Sequence, residues 1–434
     1  MHPRPSRRRF LSASAAAATA PLFIPSRGCG SNDRPVLGII GAGTRASQLL
    51  PSLTKLARIA AVADVSLPRA EAMAKGLKAD QAVQDYRRLL DRKEIDAVVI
   101  ATPLHWHALC CIHAAQAGKD IYCEKPLAYT IQEGRRVVEA VRKHGRVFQT
   151  GLQQRSGRAE RDGCRLVREG ILGTVTRVSA HAYASPMDPR FPGQPLPEGL
   201  DWDRWCGPAE PTAFHASIWD NQSNPAWVAL RPFSGGAMTD WGAHGLDMAQ
   251  WALGMDASGP EELWVEGSPF EPQVSTPEQP GGRQKGPTTP RVVMRYGSGV
   301  ILDFSGGPRF GVQFTGPKGS MTVQRNRYSA TPNLVLPEEP ALVTEDMTDS
   351  TFAHCQNWVE CIRSRSEPVA GVEIGHRTTS IAHLANIARW TTGVTGRVGD
   401  KLQWDATAEQ FTTSAEANVF LTRQYRSGYE LPAV

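Results

Sequence analysis

The turn that follows the first apolar run constrains the fold of this chain more than any other feature. Residues 36–40, VLGII, are apolar, and residues 41–46, GAGTRA, join them to a segment with helical periodicity. In a strand–turn–helix of this kind the first glycine permits a tight bend, the second allows a pyrophosphate to approach, and a small third residue lets the helix pack closely. The turn therefore predicts a dinucleotide-binding βαβ unit. Its predicted cofactor contacts are Gly41, Gly43, Thr44 and Arg45.

Short apolar runs alternate with helical segments over residues 35–152, which is typical of a doubly wound α/β domain. Runs that are apolar throughout indicate parallel strands buried on both faces. The predicted strands are 36–40, 59–64, 97–102, 120–123 and 147–150. The predicted helices are 45–56, 67–75, 104–117 and 131–143. We therefore expect an N-terminal Rossmann domain with a parallel sheet.

The pattern changes after residue 152. Longer segments now alternate polar and apolar residues, and the glycine-containing tetrapeptides 296–299 and 316–319 are typical of hairpin turns. The predicted strands are 174–183, 292–295, 300–305, 312–315 and 320–324. Residues 153–434 are therefore expected to form a C-terminal α/β domain with an open, largely antiparallel sheet.

The first 34 residues have the composition of an export signal. Arg7 and Arg8 precede an alanine-rich apolar run that ends near Pro25. This run is too short to cross a bilayer, and it lacks the polar face of an amphipathic surface helix, which is the alternative interpretation. We expect residues 1–34 to be a twin-arginine signal and linker, and the protein to reach the periplasm already folded. Cys29 is a candidate site for a lipid anchor.

The chain carries no net charge outside this leader. Residues 1–34 contain six arginines and one aspartate, and the remainder contains 42 basic and 42 acidic residues. A neutral body without a polybasic run gives no reason to expect nucleic acid or, beyond export, a membrane as partner. The other seven cysteines have no CxxC spacing, so we expect buried free thiols and no metal site. The partner should be a small molecule.

Asp64 ends the second predicted strand, about 20 residues after the glycine-rich turn. An acidic side chain at this place accepts hydrogen bonds from the ribose 2′-hydroxyl and repels a 2′-phosphate. The predicted cofactor is therefore NAD rather than NADP. The alternative role of Asp64 is to cap the turn that follows the strand.

Two polar groups follow later strands, 102–107 and 124–126, and should face the dinucleotide, because ligands bind outside the carboxyl ends of such strands. A lysine ammonium beside a positively charged nicotinamide is disfavoured, so Lys125 suits proton exchange with a reacting hydroxyl. A lone lysine after a strand is otherwise a surface residue. Pro126 is a candidate for a cis peptide bond. The predicted cofactor contacts in these groups are Thr102, Pro103, His105, His107, Glu124 and Lys125.

A third group lies in residues 235–247, where Asp240, His244 and Asp247 share one face if the segment is a single helix. A carboxylate one turn from an imidazole orients the ring and stabilises its protonated form. This arrangement suits a general base that takes a hydroxyl proton while a hydride leaves the same carbon. The alternatives are a surface Asp–His pair, and His105 or His107 as the base.

These motifs, in this order, resemble the Gfo/Idh/MocA oxidoreductases, the family of glucose-fructose oxidoreductase and inositol dehydrogenase. The resemblance extends through residues 201–205, 375–378 and 423–431 and is to an exported subgroup. It implies a Rossmann domain, a C-terminal α/β domain for substrate binding and for assembly into a dimer or tetramer, and oxidation of a sugar or polyol hydroxyl. The implied roles are catalytic lysine for Lys125, substrate-positioning carboxylate for Asp240 and acid/base for His244.

The sequence departs from the family pattern at two places. Ala46 replaces the third glycine of the turn, which is an accepted variant. Gly245 follows His244 where the subgroup often has a second histidine, so the substrate of relatives cannot be carried over directly.

Three classes of function are compatible with these residues. The first is a periplasmic NAD-dependent oxidoreductase, with a cofactor that stays bound because free NAD is scarce outside the cytoplasm. The second is a glycoside lyase or hydrolase that oxidises a ring carbon transiently and then returns the hydride. The third is a binding protein without activity, which the presence of Lys125, Asp240 and His244 disfavours.

Overall fold

The structure, a computed structural model, describes the greater part of the chain. The described residues are 34–219, 226–279, 290–331, 334, 336 and 347–434. The predicted leader up to residue 33, with Cys29, lies outside them.

The N-terminal part is a parallel sheet with helices on both faces. Its strands are β1 (Val36–Ile40), β2 (Arg58–Ala63), β3 (Gln81–Val83), β4 (Ala97–Ile100), β5 (Asp120–Cys123) and β6 (Phe148–Thr150). Its helices are α1 (Thr44–Leu56), α2 (Leu67–Leu77), α3 (Tyr86–Leu90), α4 (His107–Gln116) and α5 (Ile131–Lys143). The strand order in the described chain is β3-β2-β1-β4-β5-β6, with every pair parallel. This confirms the predicted Rossmann architecture.

The edge strand β3 and the short helix α3 are absent from the elements that the sequence predicts. Gln81 is exposed and, of the three residues of β3, only Val83 is buried. A strand this short at a sheet edge needs no continuous apolar run, so it lacks the signal that marks its neighbours.

The C-terminal part is built on a second, mixed sheet. Its main strands are β7 (Arg177–Ala180), β9 (Glu262–Glu266), β11 (Arg291–Arg295), β12 (Ile301–Asp303), β13 (Gly311–Gly316), β14 (Gly319–Gln324), β15 (Arg327–Ala330), β16 (Leu402–Asp405) and β17 (Gln410–Phe411). In the described chain they follow the order β15-β14-β13-β7-β12-β11-β9-β16-β17. All neighbours are antiparallel except β7 and β12. The predicted open, largely antiparallel sheet is therefore confirmed, as are both predicted hairpins.

Short strands β8 (Asp188–Pro189) and β10 (Val274–Ser275) form a separate parallel pair. The helices of this part are α6 (Arg158–Arg168), α7 (Trp202–Cys206), α8 (Ala216–Trp219), α9 (Gly236–Asp240), α10 (Gly242–Leu253), α11 (Met347–Ser364), α12 (Val372–Thr395) and α13 (Ala415–Asn418). Single 3₁₀ turns are present at Leu104–Trp106, Gln153–Ser156, Trp227–Ala229 and Val419–Leu421.

Late segments of the chain complete the N-terminal core. Helix α11 packs on α1, and its Trp358 belongs to the same apolar cluster as Leu49 and Leu53. On the other face of the parallel sheet, Tyr429 and Leu431 of the C-terminal tail contact the second apolar cluster. The proposed division at residue 152 therefore stays a prediction, because residues beyond it contribute to both faces of the Rossmann sheet.

No helix in the described ranges is long and apolar enough to cross a membrane. Those ranges also contain no group of three or more His, Cys, Asp or Glu side chains arranged to hold a metal ion. The seven cysteines that the structure describes are buried free thiols, as expected from their spacing.

Candidate active site

A cavity of about 670 Å³ lies at the carboxyl ends of β1, β2, β4 and β5 and extends to the C-terminal part of the chain. Most of the predicted site residues line it. They are Gly41, Gly43, Thr44, Arg45, Asp64, Thr102, Pro103, His107, Glu124, Lys125 and Asp240. The side chains of His105 and His244 are not part of its wall.

The glycine-rich turn has the shape that a pyrophosphate requires. Gly41 has φ of +92°, and a Cβ atom there would lie 2.8 Å from the Ala101 carbonyl carbon and oxygen. A Cβ atom on Gly43 would meet no described protein atom within 4 Å, so this position opens into the cavity. The helix α1 begins at Thr44, and its first amide groups therefore face the same space.

Asp64 lies at the cavity wall beyond the end of β2. Its two carboxylate oxygens accept hydrogen bonds from the backbone N–H groups of Ala42, at 2.7 Å, and Ser66, at 2.8 Å. Burial raises the pKa of Asp64 above its ordinary value, although these hydrogen bonds and nearby Arg69 oppose the shift. The carboxylate is thus fixed beside the glycine-rich turn, with acceptor capacity left for ribose hydroxyls.

His107 links two of the strand ends that line the cavity. Its Nδ1 atom lies 2.7 Å from the Pro126 carbonyl oxygen, and its Nε2 atom lies 3.0 Å from the Thr102 carbonyl oxygen. The buried Thr102 hydroxyl has no hydrogen-bond partner among the described residues. Because the Thr102 hydroxyl belongs to a residue of the cavity wall, it is available to a bound ligand. Together with the glycine-rich turn and Asp64, it fits a dinucleotide.

His105 is placed differently from the expectation that it contacts the cofactor. Its imidazole is fully buried, with Nε2 2.9 Å from the Trp205 carbonyl oxygen, and it packs against the rings of Trp205 and Phe233. Burial lowers the pKa of His105 to about 3. The side chain turns away from the cavity because it completes an aromatic cluster beneath it.

Glu124 holds Arg45 at the start of α1. The buried carboxylate accepts hydrogen bonds from the Arg45 Nε–H at 2.8 Å and from the Gln153 amide at 3.0 Å. Arg45 and Glu124 both line the cavity, so the pair brings one positive and one negative group to its wall without net charge.

Lys125 joins the two parts of the molecule at the cavity. Its ammonium group forms an ion pair with the Asp240 carboxylate and donates a second hydrogen bond, of 3.1 Å, to the Asp240 carbonyl oxygen. The side chains of Lys125 and Asp240 are only 16% and 17% exposed. The peptide bond between Lys125 and Pro126 is cis, as the sequence suggested.

The expected pairing of Asp240 with His244 is wrong. Residues 235–247 are not one helix, since α9 ends at Asp240 and α10 begins at Gly242, so the carboxylate is not held over the imidazole. Asp240 binds the ammonium of Lys125 instead, because a full positive charge attracts it more strongly than a neutral ring. Asp247 forms a buried ion pair with Arg155, at 2.8 Å, away from the cavity.

His244 is a buried, neutral histidine close to the ion pair. It is 6% exposed, and its Nδ1 atom has no hydrogen-bond partner in the described chain. Burial, and then the positive charges of Lys125, Arg325 and Arg45, lower its pKa well below the ordinary value of 6.5. The ring is therefore unprotonated at neutral pH, although the lowered pKa makes it a weaker base and it lies behind the cavity wall.

A loop of the C-terminal part covers the Asp64 end of the cavity, and sequence reasoning missed its role. Gly199 accepts a 3.0 Å hydrogen bond from the Leu67 N–H, and the Asp201 N–H donates to the Val65 carbonyl at 3.0 Å. The Arg69 guanidinium lies 4.1 Å from the centre of the Trp219 ring. The only signal in the sequence was the density of tryptophans after residue 200. The aromatic cavity-lining residues of this segment are Trp205, Trp219 and Trp227.

Close packing explains why residue 245 is a glycine and not the second histidine of the exported subgroup. A Cβ atom on Gly245 would lie 2.6 Å from the Gly311 carbonyl oxygen, because the start of α10 packs directly on β13. Any larger side chain requires the backbone to move. This close packing also brings Phe310 against the ring of His244, with centroids 5.9 Å apart.

Comparison with known proteins agrees with this architecture. The profile of the Gfo/Idh/MocA oxidoreductase family's NAD-binding Rossmann fold matches residues 36–152, and that of its C-terminal α/β domain matches residues 165–431. The myo-inositol 2-dehydrogenase of Thermotoga maritima is 23% identical over 367 residues, which cover 80% of this chain and 94% of the relative.

Two solved structures share the fold. The aldose-aldose oxidoreductase from Caulobacter crescentus, complexed with glycerol, aligns with a TM-score of 0.60 at 19% identity, over 85% of this chain and 99% of its own. Levoglucosan dehydrogenase in complex with NADH and levoglucosan aligns with a TM-score of 0.60 at 18% identity, over 85% and 99%. Because the two family profiles together span most of the sequence, this chain is an oxidoreductase of the Gfo/Idh/MocA family.

Proposed function

We propose that the protein oxidises a hydroxyl group of a sugar, glycoside or polyol with NAD as the hydride acceptor. The observation that carries this proposal is that the Lys125–Asp240 ion pair lines the same cavity as the glycine-rich turn. The cavity volume of about 670 Å³ is within the range of small-molecule sites. A polar pair at one end and a nucleotide-binding turn at the other suit hydride transfer between a hydroxylated carbon and a dinucleotide.

The relatives support the substrate class. The names of the similar proteins refer to myo-inositol, an aldose and levoglucosan, which are all polyhydroxylated rings or sugars. One of those structures holds NADH together with levoglucosan. We transfer to this chain only the shared chemistry, a ring carbon that bears a hydroxyl group.

In the proposed reaction, bound NAD supplies the hydride acceptor. Lys125 donates a hydrogen bond to the reacting oxygen and stabilises the negative charge that develops as the proton leaves. Asp240 keeps the ammonium of Lys125 in place and accepts a hydrogen bond from a neighbouring substrate hydroxyl. His244, neutral at pH 7, takes the hydroxyl proton. His107, which lines the cavity, is the alternative proton acceptor.

The experiment that tests this function uses the purified protein as isolated. After denaturation, the released cofactor is identified, and native protein is mixed with a panel of sugars, glycosides and polyols while the absorbance of reduced nicotinamide is followed. We expect NAD and its reduction by at least one sugar or polyol. A protein that retains NAD and is reduced by none of them contradicts the proposal. Release of an aglycone without lasting reduction identifies the lyase or hydrolase alternative instead.

We further propose that the cofactor stays bound between turnovers. The loop over the Asp64 end supports this idea, since two backbone hydrogen bonds, from the Leu67 N–H to Gly199 and from the Asp201 N–H to Val65, must break before that end opens. Desalting the wild-type protein should leave its NAD content unchanged. Trp219→Ala, which removes the ring beneath Arg69, should allow the cofactor to exchange. Equal NAD loss from both proteins contradicts this proposal.

The proposal for the location of the protein rests on the sequence of residues 1–33, which lie outside the described residues. We propose export to the periplasm by the twin-arginine route, because consecutive arginines precede a short apolar run. Replacing Arg7 and Arg8 with lysine should leave folded protein in the cytoplasm. Unchanged delivery of that variant means that another route is used.

We also propose a homo-oligomer, formed through the face of the second sheet opposite its packed helices. Helices α6, α10 and α12 contact one face of this sheet. In β9, Leu263 and Val265 point to that covered face, whereas Trp264 is only partly buried on the other. Light scattering on the purified protein should give the mass of a dimer or tetramer. The mass of a monomer contradicts this proposal.

A further inference from the structure

Trp241 lines the cavity directly after Asp240 in the chain. It joins α9, which ends at Asp240, to α10, which begins at Gly242. Consecutive Cα atoms are only about 3.8 Å apart, so Trp241 belongs to the same end of the cavity as the Lys125–Asp240 ion pair. Its side chain is partly exposed. This end of the cavity therefore presents an apolar ring beside a polar pair.

Two aromatic rings hold the indole of Trp241 in place. Its centroid lies 6.2 Å from that of the Tyr183 ring and 5.6 Å from that of the Phe310 ring. The ring planes are inclined to the indole by 78° and 57°, so neither ring lies flat on it. The Phe310 N–H donates a 3.1 Å hydrogen bond to the Tyr183 hydroxyl, which connects the two supporting residues. The supports therefore fix the indole without a ring stacked on its face.

Phe310 supports Trp241 from a strained backbone conformation. Its φ is +55°, in the left-handed region that a bulky side chain rarely adopts. Its ring also packs against His244, with centroids 5.9 Å apart. Backbone strain of this kind persists only where the surrounding structure enforces it, and it is concentrated at functional sites. The strained residue thus supports both side chains, Trp241 and His244, that flank the reacting end of the cavity.

Two other tryptophans of the cavity wall already have a stacked partner. The Trp205 ring lies parallel to the Trp202 ring, with centroids 4.3 Å apart and planes that differ by 6°. The Arg69 guanidinium lies over the Trp219 ring. Trp241 has no stacked ring or cation among the described residues. Its face is therefore available to a ligand that enters the cavity.

We propose that Trp241 is a substrate-binding residue, and that the C–H face of a sugar ring lies on its indole. The inference rests on the proposed function and specifies how the substrate is recognised within it. A pyranose or cyclitol ring with equatorial hydroxyl groups carries them at its rim and presents C–H groups on its faces. The hydrophobic effect favours burial of such a face against an indole, while the rim hydroxyls bind Lys125 and Asp240.

This arrangement distinguishes rings from open chains. An open-chain polyol has no fixed apolar face, and it loses more conformational freedom when it binds. Trp241 should therefore favour a ring over an open chain that carries the same hydroxyl groups.

Matched rings and open chains test this inference. The inositols and the hexitols glucitol, mannitol and galactitol have the same number of carbons and hydroxyl groups, and methyl β-glucoside adds a locked pyranose. The concentration dependence of NAD reduction gives a maximal rate and a half-saturating concentration, and calorimetric titration gives a dissociation constant without turnover. The variants are Trp241→Leu, Trp241→Phe and, as a control, Trp390→Leu. Trp390 is also partly buried, but it packs against Phe420 and does not line the cavity.

We expect the wild-type protein to bind at least one ring about tenfold or more tightly than every hexitol. Trp241→Leu should raise the half-saturating concentration and the dissociation constant of that ring by about tenfold, with a smaller change in maximal rate. The values for the hexitols and the NAD content after desalting should stay as in the wild type. Trp241→Phe should recover part of the loss, and Trp390→Leu should cause none. If Trp241→Leu does not fold, Trp241→Phe and the wild-type preference provide the test.

Three outcomes overturn the inference. They are equal or tighter binding of hexitols by the wild-type protein, an equal loss on rings and hexitols in Trp241→Leu, and loss of bound NAD from that variant. The last result means that the indole covers the nicotinamide and not the sugar. In all three cases the reduction of NAD by a sugar or polyol still supports the proposed function. If no compound of either kind reduces bound NAD, the proposed function fails and this inference fails with it.

Discussion

The ammonium group of Lys125 and the carboxylate of Asp240 form an ion pair between the end of β5 and the end of α9, 115 residues apart in the chain. Each group is mostly buried, so each depends on the other for its charge balance. The pair therefore fixes the position of the Lys125 side chain in the cavity. It also joins the end of β5 in the Rossmann sheet to the end of α9 in the C-terminal part of the chain.

The first prediction concerns Lys125 itself. Lys125→Met removes the hydrogen bond to the reacting oxygen and should lower the rate of NAD reduction by about 100- to 10,000-fold. The bound NAD should remain, because the glycine-rich turn and Asp64 are untouched. Lys143→Met, which removes an exposed lysine at the end of α5, is the control and should leave the rate unchanged. A Lys125 variant with near-normal rate would show that the ion pair is structural.

Asp240 provides a second test of the same pair. Asp240→Asn alone should weaken substrate binding and leave the ammonium of Lys125 unbalanced. If the pair acts as one unit, the double variant loses about as much activity as the more severe single variant. If the activity loss of the double variant equals the product of the two single losses, Lys125 and Asp240 act independently. Single-turnover rates of NAD reduction in the three variants distinguish these results.

The role of His244 is tested by the pH dependence of the reaction. Its lowered pKa means that the neutral, proton-accepting ring persists below pH 6.5. We expect single-turnover NAD reduction to stay constant from pH 7.5 through 6.5 and to fall only at lower pH. His244→Ala should lose most of the rate while NAD stays bound. Wild-type rates in His244→Ala at every pH would exclude His244 as the proton acceptor and make His107, which lines the cavity, the candidate.

The fold could be predicted from sequence where burial leaves a periodic signal. β4 and β5 are buried along their whole length, and β1 is buried after its first residue, so their apolar runs identify them. The edge strand β3 carries no such run. The site was predicted in part for a related reason, since a turn such as Gly41–Gly43 is local in sequence. The Lys125–Asp240 contact is not local, and the helical spacing that favoured His244 as the partner of Asp240 does not hold, because the helix is interrupted at Trp241.

The stability of the protein should depend on pH through its buried histidines. Burial lowers the pKa of His354 and of His383 to about 4, whereas an unfolded histidine titrates near 6.5. Between these pH values the unfolded chain binds more protons than the folded chain. The contribution of the two neutral histidines to the free energy of unfolding is therefore fully present above pH 6.5 and is lost as the pH falls towards 4. Between pH 6.5 and 4, each such residue lowers the free energy of unfolding by about 1.4 kcal/mol per pH unit.

Thermal unfolding between pH 7.5 and 5.5 measures this effect. The midpoint should fall with pH in the wild-type protein. The midpoint of His383→Gln should fall less steeply with pH. Glutamine can donate to the Ala128 carbonyl that His383 contacts at 2.9 Å, but it cannot be protonated. The pKa of His107 is raised, because Cys123 and the hydrogen bonds to backbone carbonyls outweigh burial, so this residue opposes the trend. A midpoint that rises on acidification contradicts the prediction.

Asp64 should decide between the two nicotinamide dinucleotides. Asp64→Asn keeps an oxygen acceptor for the Ala42 or Ser66 N–H but removes the charge that repels a 2′-phosphate. We expect the ratio of NADP to NAD affinity to rise in this variant. In Asp64→Ala, which removes the carboxylate entirely, the preference for NAD should weaken by about 1 to 3 kcal/mol of binding free energy. Cofactor released from each denatured variant and direct titration of both dinucleotides provide the measurement. A wild-type protein that contains mainly NADP would contradict the assignment.

Alanine substitutions at the two glycines of the turn should have different effects, one on folding and the other on cofactor binding. In Gly41→Ala the new Cβ atom would lie 2.8 Å from the Ala101 carbonyl, at a φ of +92° that alanine disfavours, so the protein itself should be destabilised. In Gly43→Ala the Cβ atom meets no described protein atom within 4 Å, so the thermal midpoint without cofactor should remain at the wild-type value. That methyl group instead occupies space that a pyrophosphate needs, and NAD should be lost on desalting. If Gly43→Ala retains NAD as firmly as the wild-type protein, the cofactor does not approach the backbone at this turn.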